Sequence, residues 1–247
     1  MTVRPPSPRR FRPLAPALAT LVFCLAAPGR AGELPAFVAG ALARFSPDVP
    51  AGWAYQVAVT RGNEDSLESF DPSRPAGEQW TLLRRNGRPP AAGDIARYRR
   101  YRETTNATSG ARATFTRGDL DYAGARVLHE GAAGVTLACG FRPDAAEPLL
   151  AHLALELALT REPAAVLRAT LRLVRPYSPV TGMRMEALEV ITTFDPPSGA
   201  EPALPRTVVS RFRGRMLWFW TVDEVTRVRY SEFRRAGPAP ATPDPAR

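Results

Sequence analysis

The sequence predicts a mainly β (α+β) protein: one curved antiparallel sheet or incomplete β-barrel, with about two helices covering the concave face. Three observations carry that expectation. Apolar residues recur at period two in segment after segment, most regularly at Leu153, Leu155, Leu157 and Leu159. These segments follow one another at roughly ten- to twelve-residue spacing with short connections, which suits an antiparallel meander and not βαβ units. Helical spacing is confined to two stretches of the first half.

Taken in order, Leu34, Phe37, Val38, Ala41, Leu42 and Phe45 fall on one helical stripe and predict a short amphipathic helix. Trp53, Tyr55, Val57 and Val59 then alternate with Ala54, Gln56, Ala58 and Thr60, which predicts a strand over 53–60. Arg61-Gly62-Asn63 turns the chain into a short return strand over 66–70, and the proline-bearing stretch 71–77 is a loop. A strand over 79–85 ends at the Asn86-Gly87 turn. Pro89-Pro90 precedes a helix over 91–103, with Ile95, Tyr98 and Tyr101 or Arg102 on one stripe, and 104–118 is a loop or hinge. In the second half, Ala, Leu and Glu over 151–161 favour helix by propensity, but the strict alternation outranks it and predicts a strand. Strands are expected likewise over 166–175, 185–194, 207–212, 215–221 and 225–233, with turns at Gly182, 196–199 and Arg213-Gly214. On that reading Trp218 and Trp220 share one strand face, and Phe219 points to the other.

The ends of the chain read differently. Arg4, Arg9, Arg10 and Arg12 precede an apolar Ala- and Leu-rich run over 14–27, and Gly29-Arg30-Ala31 offers small residues for cleavage before Gly32. The run is shorter than the roughly 20 residues that span a bilayer, and prolines interrupt it. Residues 1–31 are therefore expected to be a cleaved signal peptide, 32–235 a single domain and 236–247 a disordered Pro-rich tail, which implies a periplasmic location. Losing the leader removes five arginines and no acid, so the formal charge falls from +9 to +4. Cys24 leaves with it, and Cys139, on a strand between Ala138 and Gly140, remains as a buried small hydrophobe with no internal disulfide partner.

Composition excludes several chemistries. All 33 basic residues are Arg, so Walker, Schiff-base and Ser-Lys chemistry have no lysine to use. Two histidines, His129 and His152, and two cysteines are too few for a usual Cys/His zinc site, and Ser178 and Ser210 lack a glycine-rich elbow. No catalytic residue, metal or cofactor is expected. Arg84, Arg85, Arg88, Arg97, Arg99, Arg100 and Arg102 cluster against a single acid, Asp94. A solvated helix face accounts for them; an anionic contact through Arg97, Arg99 and Arg100 with a lipid headgroup, a phosphate or an acidic partner is the functional alternative. Export disfavours nucleic acid. The aromatic set Trp53, Trp80, Phe212, Trp218, Phe219 and Trp220 reads as core packing or as the wall of an apolar cavity.

Particular stretches also carry a resemblance. Phe70-Asp71-Pro72-Ser73-Arg74-Pro75 with Glu78-Gln79-Trp80-Thr81-Leu82-Leu83, then Asn86-Gly87-Arg88-Pro89-Pro90, resemble a motif of uncharacterised exported bacterial proteins. Pro176-Tyr177-Ser178-Pro179-Val180, Leu204-Pro205, Gly214-Arg215 and Ser231-Glu232-Phe233 resemble the same group. Through it the order of elements is similar to the periplasmic lipoprotein-carrier (LolA-like) superfamily. The resemblance implies an incomplete barrel closed by helices over a hydrophobic cavity, and a non-catalytic carrier of a lipid or acylated molecule. It assigns ligand contact to Trp53, Trp80, Leu153, Leu155, Leu157, Leu159, Phe212, Trp218 and Trp220. Envelope proteins or the membrane surface are the further partners it implies. The alternative is a cell-envelope scaffold or sensor that binds a protein through the sheet or the Arg-rich helix.

Overall fold

Alternate burial along the strands organises the whole chain, and the computed structural model shows it over residues 34–75, 77–107, 115–198, 201–217 and 219–237, the residues it describes. The elements in chain order are α1 (Ala36–Arg44), β1 (Trp53–Arg61), β2 (Glu64–Phe70), β3 (Trp80–Arg85), α2 (Ala92–Ala107), β4 (Leu120–Glu130), β5 (Gly134–Phe141), β6 (Leu153–Thr160), β7 (Ala165–Leu173), β8 (Met183–Asp195), β9 (Leu204–Met216) and β10 (Trp220–Arg235). The strands form one open, curved antiparallel sheet in the order β3-β2-β1-β10-β9-β8-β7-β6-β5-β4. Two meanders, β1 to β3 and β4 to β10, thus meet where β1 pairs with β10.

Two expectations are corrected. β9 runs unbroken through Arg213-Gly214, where a turn was expected, and the chain reverses instead at 217–219, with Leu217 at φ +50°. Gly214 marks a close approach, because a Cβ there would fall 2.5 Å from the Arg184 carbonyl oxygen and 2.8 Å from Phe212 Cζ. The segment 215–221 is therefore the end of one strand, a turn and the start of the next, so strand alternation does not set Phe219 against Trp220, which opens β10 opposite Met216. Trp218 lies outside the described residues. α2 also continues to Ala107, into the stretch expected as a loop, and Arg117–Asp119 forms a short 3-10 turn. The expected leader over 1–31, with Cys24, and residues 238–247 of the expected tail lie outside the described residues too.

Residues directly opposed across an antiparallel ladder share a face, which makes the inner face traceable across the sheet. One row runs Val59, Val228, Val208, Thr192, Ala169, Leu157, Leu137 from β1 to β5. The adjacent row runs Arg61, Thr226, Ser210, Val190, Leu171, Leu155, Cys139. Both helices lie on this face, α1 over β7 and α2 beside β3. The outer face is charged. Arg172 pairs with Glu156 and Glu189, both at 3.0 Å, and Glu189 pairs with Arg211 at 2.6 Å, a ladder of alternating sign across β6 to β9.

α1 closes one end. Val38, Ala41, Leu42 and Phe45 descend onto Leu137, Leu155, Leu157 and Val166, and all eight are buried. Phe45 meets Phe194 edge-on at 5.5 Å, and Arg44 Nη2 donates to the Ala164 carbonyl at 2.9 Å. This core holds Cys139, whose thiol is pushed up to about 11 by burial and then by the Asp121 carboxylate.

Candidate functional site

The inner face divides into three zones. The first is the closed core under α1, which takes in Leu153, Leu155, Leu157 and Leu159. They share one face, as their period-two spacing predicts, and they fill that core. A ligand reaching Leu155 or Leu157 has to displace α1.

The second zone lies at β1 to β3 and is aromatic. Tyr55 contacts Phe70 at 5.2 Å, Trp80 at 6.0 Å, Tyr230 at 5.7 Å and Phe233 at 5.9 Å. Segment 48–52 faces Tyr55, Phe70 and Tyr230 across a cleft of about 370 Å³. Trp53 is buried apart from that cleft, edge-on to Phe233 at 6.3 Å and beneath the Arg235 guanidinium at 4.5 Å. α2 is fastened to this zone by a buried polar cluster. Tyr98 and Arg102, one helical turn apart, both reach Glu68 on β2: the Tyr98 hydroxyl donates to Oε2 at 2.9 Å, and Arg102 Nη2 forms a salt bridge to the same oxygen. The Ser66 hydroxyl donates to Oε1 at 2.9 Å, so both carboxylate oxygens are satisfied. The Arg102 guanidinium also stacks 3.7 Å above the Trp80 ring. Burial, and then the Glu68 carboxylate, push the Tyr98 phenol far above its ordinary range. The cluster fixes where α2 stands.

Between these zones, among the described residues, no helix packs closely along β9, β10 and the middle of β8, although Leu188 and Val190 on β8 reach the edge of the core under α1. Leu188, Val190, Val208, Phe212, Val222 and Val228 lie half-buried there, on the same rows that are fully buried under α1. The absent side chain of Gly214 leaves room for the Phe212 ring beside it. Along the β1 side the apolar floor gives way to polar groups: Arg61 Nη2 donates to Glu224 Oε2 at 2.6 Å, and the Thr226 hydroxyl to Glu224 Oε1 at 3.0 Å. The Thr226 and Arg61 bonds hold the Glu224 carboxyl below its usual range, the Arg61 hydrogen bond being the larger cause. This strip is a shallow amphiphilic trough, apolar along its length and charged along one side.

The residues expected to contact ligand are thus distributed. Phe212 lies in the trough, Trp80 under Arg102, Trp53 beside Phe233 and the four leucines under α1, while Trp220 is exposed at the β9–β10 turn. Arg97, Arg99 and Arg100 are exposed on α2 and form no ion pair among the described residues, whereas Arg102 on the same helix is turned inward. His152 packs on the Tyr177 ring at 4.5 Å and accepts a hydrogen bond from Arg175 Nε, and His129 is exposed. Among the described residues no group of His, Cys, Asp and Glu is placed to hold a metal ion. Val208, Ser210 and Phe212 already alternate within the strand expected over 207–212, but nothing local says how far their face is covered. The Glu68 cluster leaves no sequence signal beyond the spacing of Tyr98 and Arg102.

Over the described residues, a ten-stranded open antiparallel sheet with two α-helices on one face and a half-buried trough between them is the class of protein these features define. Neither a family model nor a curated protein matches the chain. The crystal structure of a LolA superfamily protein from Nitrosomonas europaea is similar to it over 83% of this chain and 93% of that one, at 14% identity and a TM-score of 0.36.

Proposed function

We propose that the chain is a non-catalytic carrier, exported to the periplasm with residues 1–31 as its leader, that holds an acyl-bearing amphiphile in the trough over β8 to β10. The observation that carries this reading is the break in coverage of the inner face. Rows that are sealed at β5 to β7 continue as half-buried Val190, at the edge of the core, and Val208, Phe212 and Val228, with no helix packed closely over them among the described residues. Each methylene laid on that strip is worth about 0.8 kcal/mol, so one acyl chain binds without any reacting group. The Arg61–Glu224 pair and the hydroxyls of Ser210 and Thr226 offer donors and acceptors for the polar end of such a ligand. The sequence resemblance to lipoprotein carriers agrees with this chemistry.

The test is uptake of a fluorescent fatty acid by the wild type and by Phe212→Arg, together with native mass spectrometry for co-purifying lipid. The reading expects binding by the wild type and its loss in Phe212→Arg at unchanged thermal stability. No uptake and no co-purifying lipid in the wild type overturns it and leaves the envelope scaffold reading in its place.

A further inference from the structure

The turn between β9 and β10 is built against the rule that turns are polar. Phe219 is 82% exposed, Trp220 65% and Leu217 58%, and across the neighbouring β7–β8 connection Val180 is 63% exposed. The two loops are tied together. The Leu217 N–H donates to the Gly182 carbonyl at 2.7 Å, and Leu217 holds a left-handed backbone that a leucine rarely adopts. Five exposed arginines stand behind the tip, Arg175, Arg184, Arg211, Arg213 and Arg215, of which Arg211 pairs with Glu189 at 2.6 Å and Arg213 with Glu186 at 3.9 Å. A cleft of about 620 Å³ opens beside the tip, with Arg184 and Arg215 in its wall. Arg215 is bonded to Glu186 at 2.9 Å, and Arg184 has no ion pair among the described residues.

We infer that this end of the sheet docks on a bilayer carrying anionic headgroups, with Leu217, Phe219 and Trp220 entering the interface and Arg184 beside Arg215 meeting a headgroup phosphate. The order of chemistry along the strands matches the layers of such a surface: aromatic and aliphatic side chains outermost, guanidiniums immediately behind, charged sheet beyond. A flat protein partner asks for no such layering. The placement also suits the proposed carrier, because Met216 and Trp220 oppose each other one row above Gly214 and Val222, at the end of the trough. Docking itself does not depend on the trough being a ligand site.

The experiment is sedimentation of the protein, purified as its cells process it, with phosphatidylcholine vesicles that contain or lack phosphatidylglycerol. Sedimentation velocity without lipid and a thermal unfolding curve accompany it. The wild type is expected to partition onto the phosphatidylglycerol vesicles. Phe219→Ser/Trp220→Ser should lower that partition about tenfold or more at unchanged thermal stability, since both side chains are already exposed. Arg184→Glu should remove about fivefold or more and erase the preference for the anionic vesicles. Val180→Asp, on the other loop, should weaken binding in the same direction. Absence of wild-type binding to either vesicle overturns the inference, as does a double variant that binds like the wild type. A wild-type dimer that the double variant abolishes also overturns it, by making a second copy the occupant. Vesicle binding without fatty-acid uptake leaves docking standing and removes the carrier reading alone.

Discussion

Leu155 and Val190 sit on one row of the inner face, each directly opposite a neighbour in common, Leu171, yet Leu155 is fully buried and Val190 is not. The same strand chemistry has two fates, decided by what lies above. Over β5 to β7, α1 supplies Val38, Ala41 and Leu42, Phe45 follows at its end, and the sheet becomes a closed core. Beyond the Phe194 end of β8, which Phe45 covers, no helix among the described residues supplies a second layer over β8 to β10, and the sheet remains a half-buried surface. The row composition follows the cover: Cys139, Leu155 and Leu171 under the helix, then Val190, then Ser210, Thr226 and Arg61 in the open. A half-covered apolar face forgoes part of the burial energy that a second layer would supply, and a contiguous patch of that kind is a candidate binding surface.

The sharpest break of this comparison is a charge placed in each region. Leu157→Arg puts a guanidinium among fully buried side chains with no carboxylate to meet it, a cost of several kcal/mol, and circular dichroism should find it unfolded. Val208→Arg, three strands away on the same row, has solvent within reach and should fold, with a stability change of about 1 kcal/mol or less. An unfolded Val208→Arg would mean that the trough is core after all.

Truncation sharpens the contrast at lower cost. Leu155→Ala should lose about 2–5 kcal/mol in urea denaturation, through transfer and cavity terms together, and Val190→Ala only about 1 kcal/mol. Equal losses would erase the distinction between the two regions.

The cluster under α2 comes next. Glu68→Gln leaves Arg102 half-enclosed without its carboxylate and should cost about 3 kcal/mol, while speeding amide exchange in α2 ahead of the sheet. Uniform exchange across α2 and β6 would show that the cluster does not anchor the helix separately.

The smallest effect concerns pH. The Ser73 hydroxyl, and then the Arg234 guanidinium, hold the Asp71 carboxyl down at about 2, tying the end of β10 to the loop after β2. A carboxylate depressed on folding adds stability that is present above its unfolded pKa of about 3.9 and is lost as pH falls through the folded value. Asp71→Asn should therefore flatten the stability curve between about pH 4 and pH 2, read by denaturation at stepped pH, and a curve parallel to the wild type would contradict the tie.

The regular parts of this fold were legible because alternation is local. Leu153 to Thr160 carries its burial pattern in its own composition, and Asn86-Gly87 turns where it is expected, with φ of 49° and 72°. The β9–β10 hairpin was not, because glycine and arginine at 213–214 imitate a turn inside a strand, whereas the true turn is made of residues that turns usually avoid. Which part of the inner face is left half-buried was not legible. Period two assigns residues to a face, but whether a helix covers that face is decided by contacts between distant segments, such as Phe45 with Phe194 or Glu68 with Arg102.

The central claim is that an acyl chain lies over β8 to β10 and not within the leucine core. Photocrosslinking with a diazirine-bearing fatty acid, followed by peptide mapping, tests it directly. The account predicts adducts on the strands that carry Leu188, Val208, Phe212 and Val228, competed away by unlabelled fatty acid. Adducts concentrated on Leu153 to Leu159, or a pattern that unlabelled fatty acid does not compete, would contradict it.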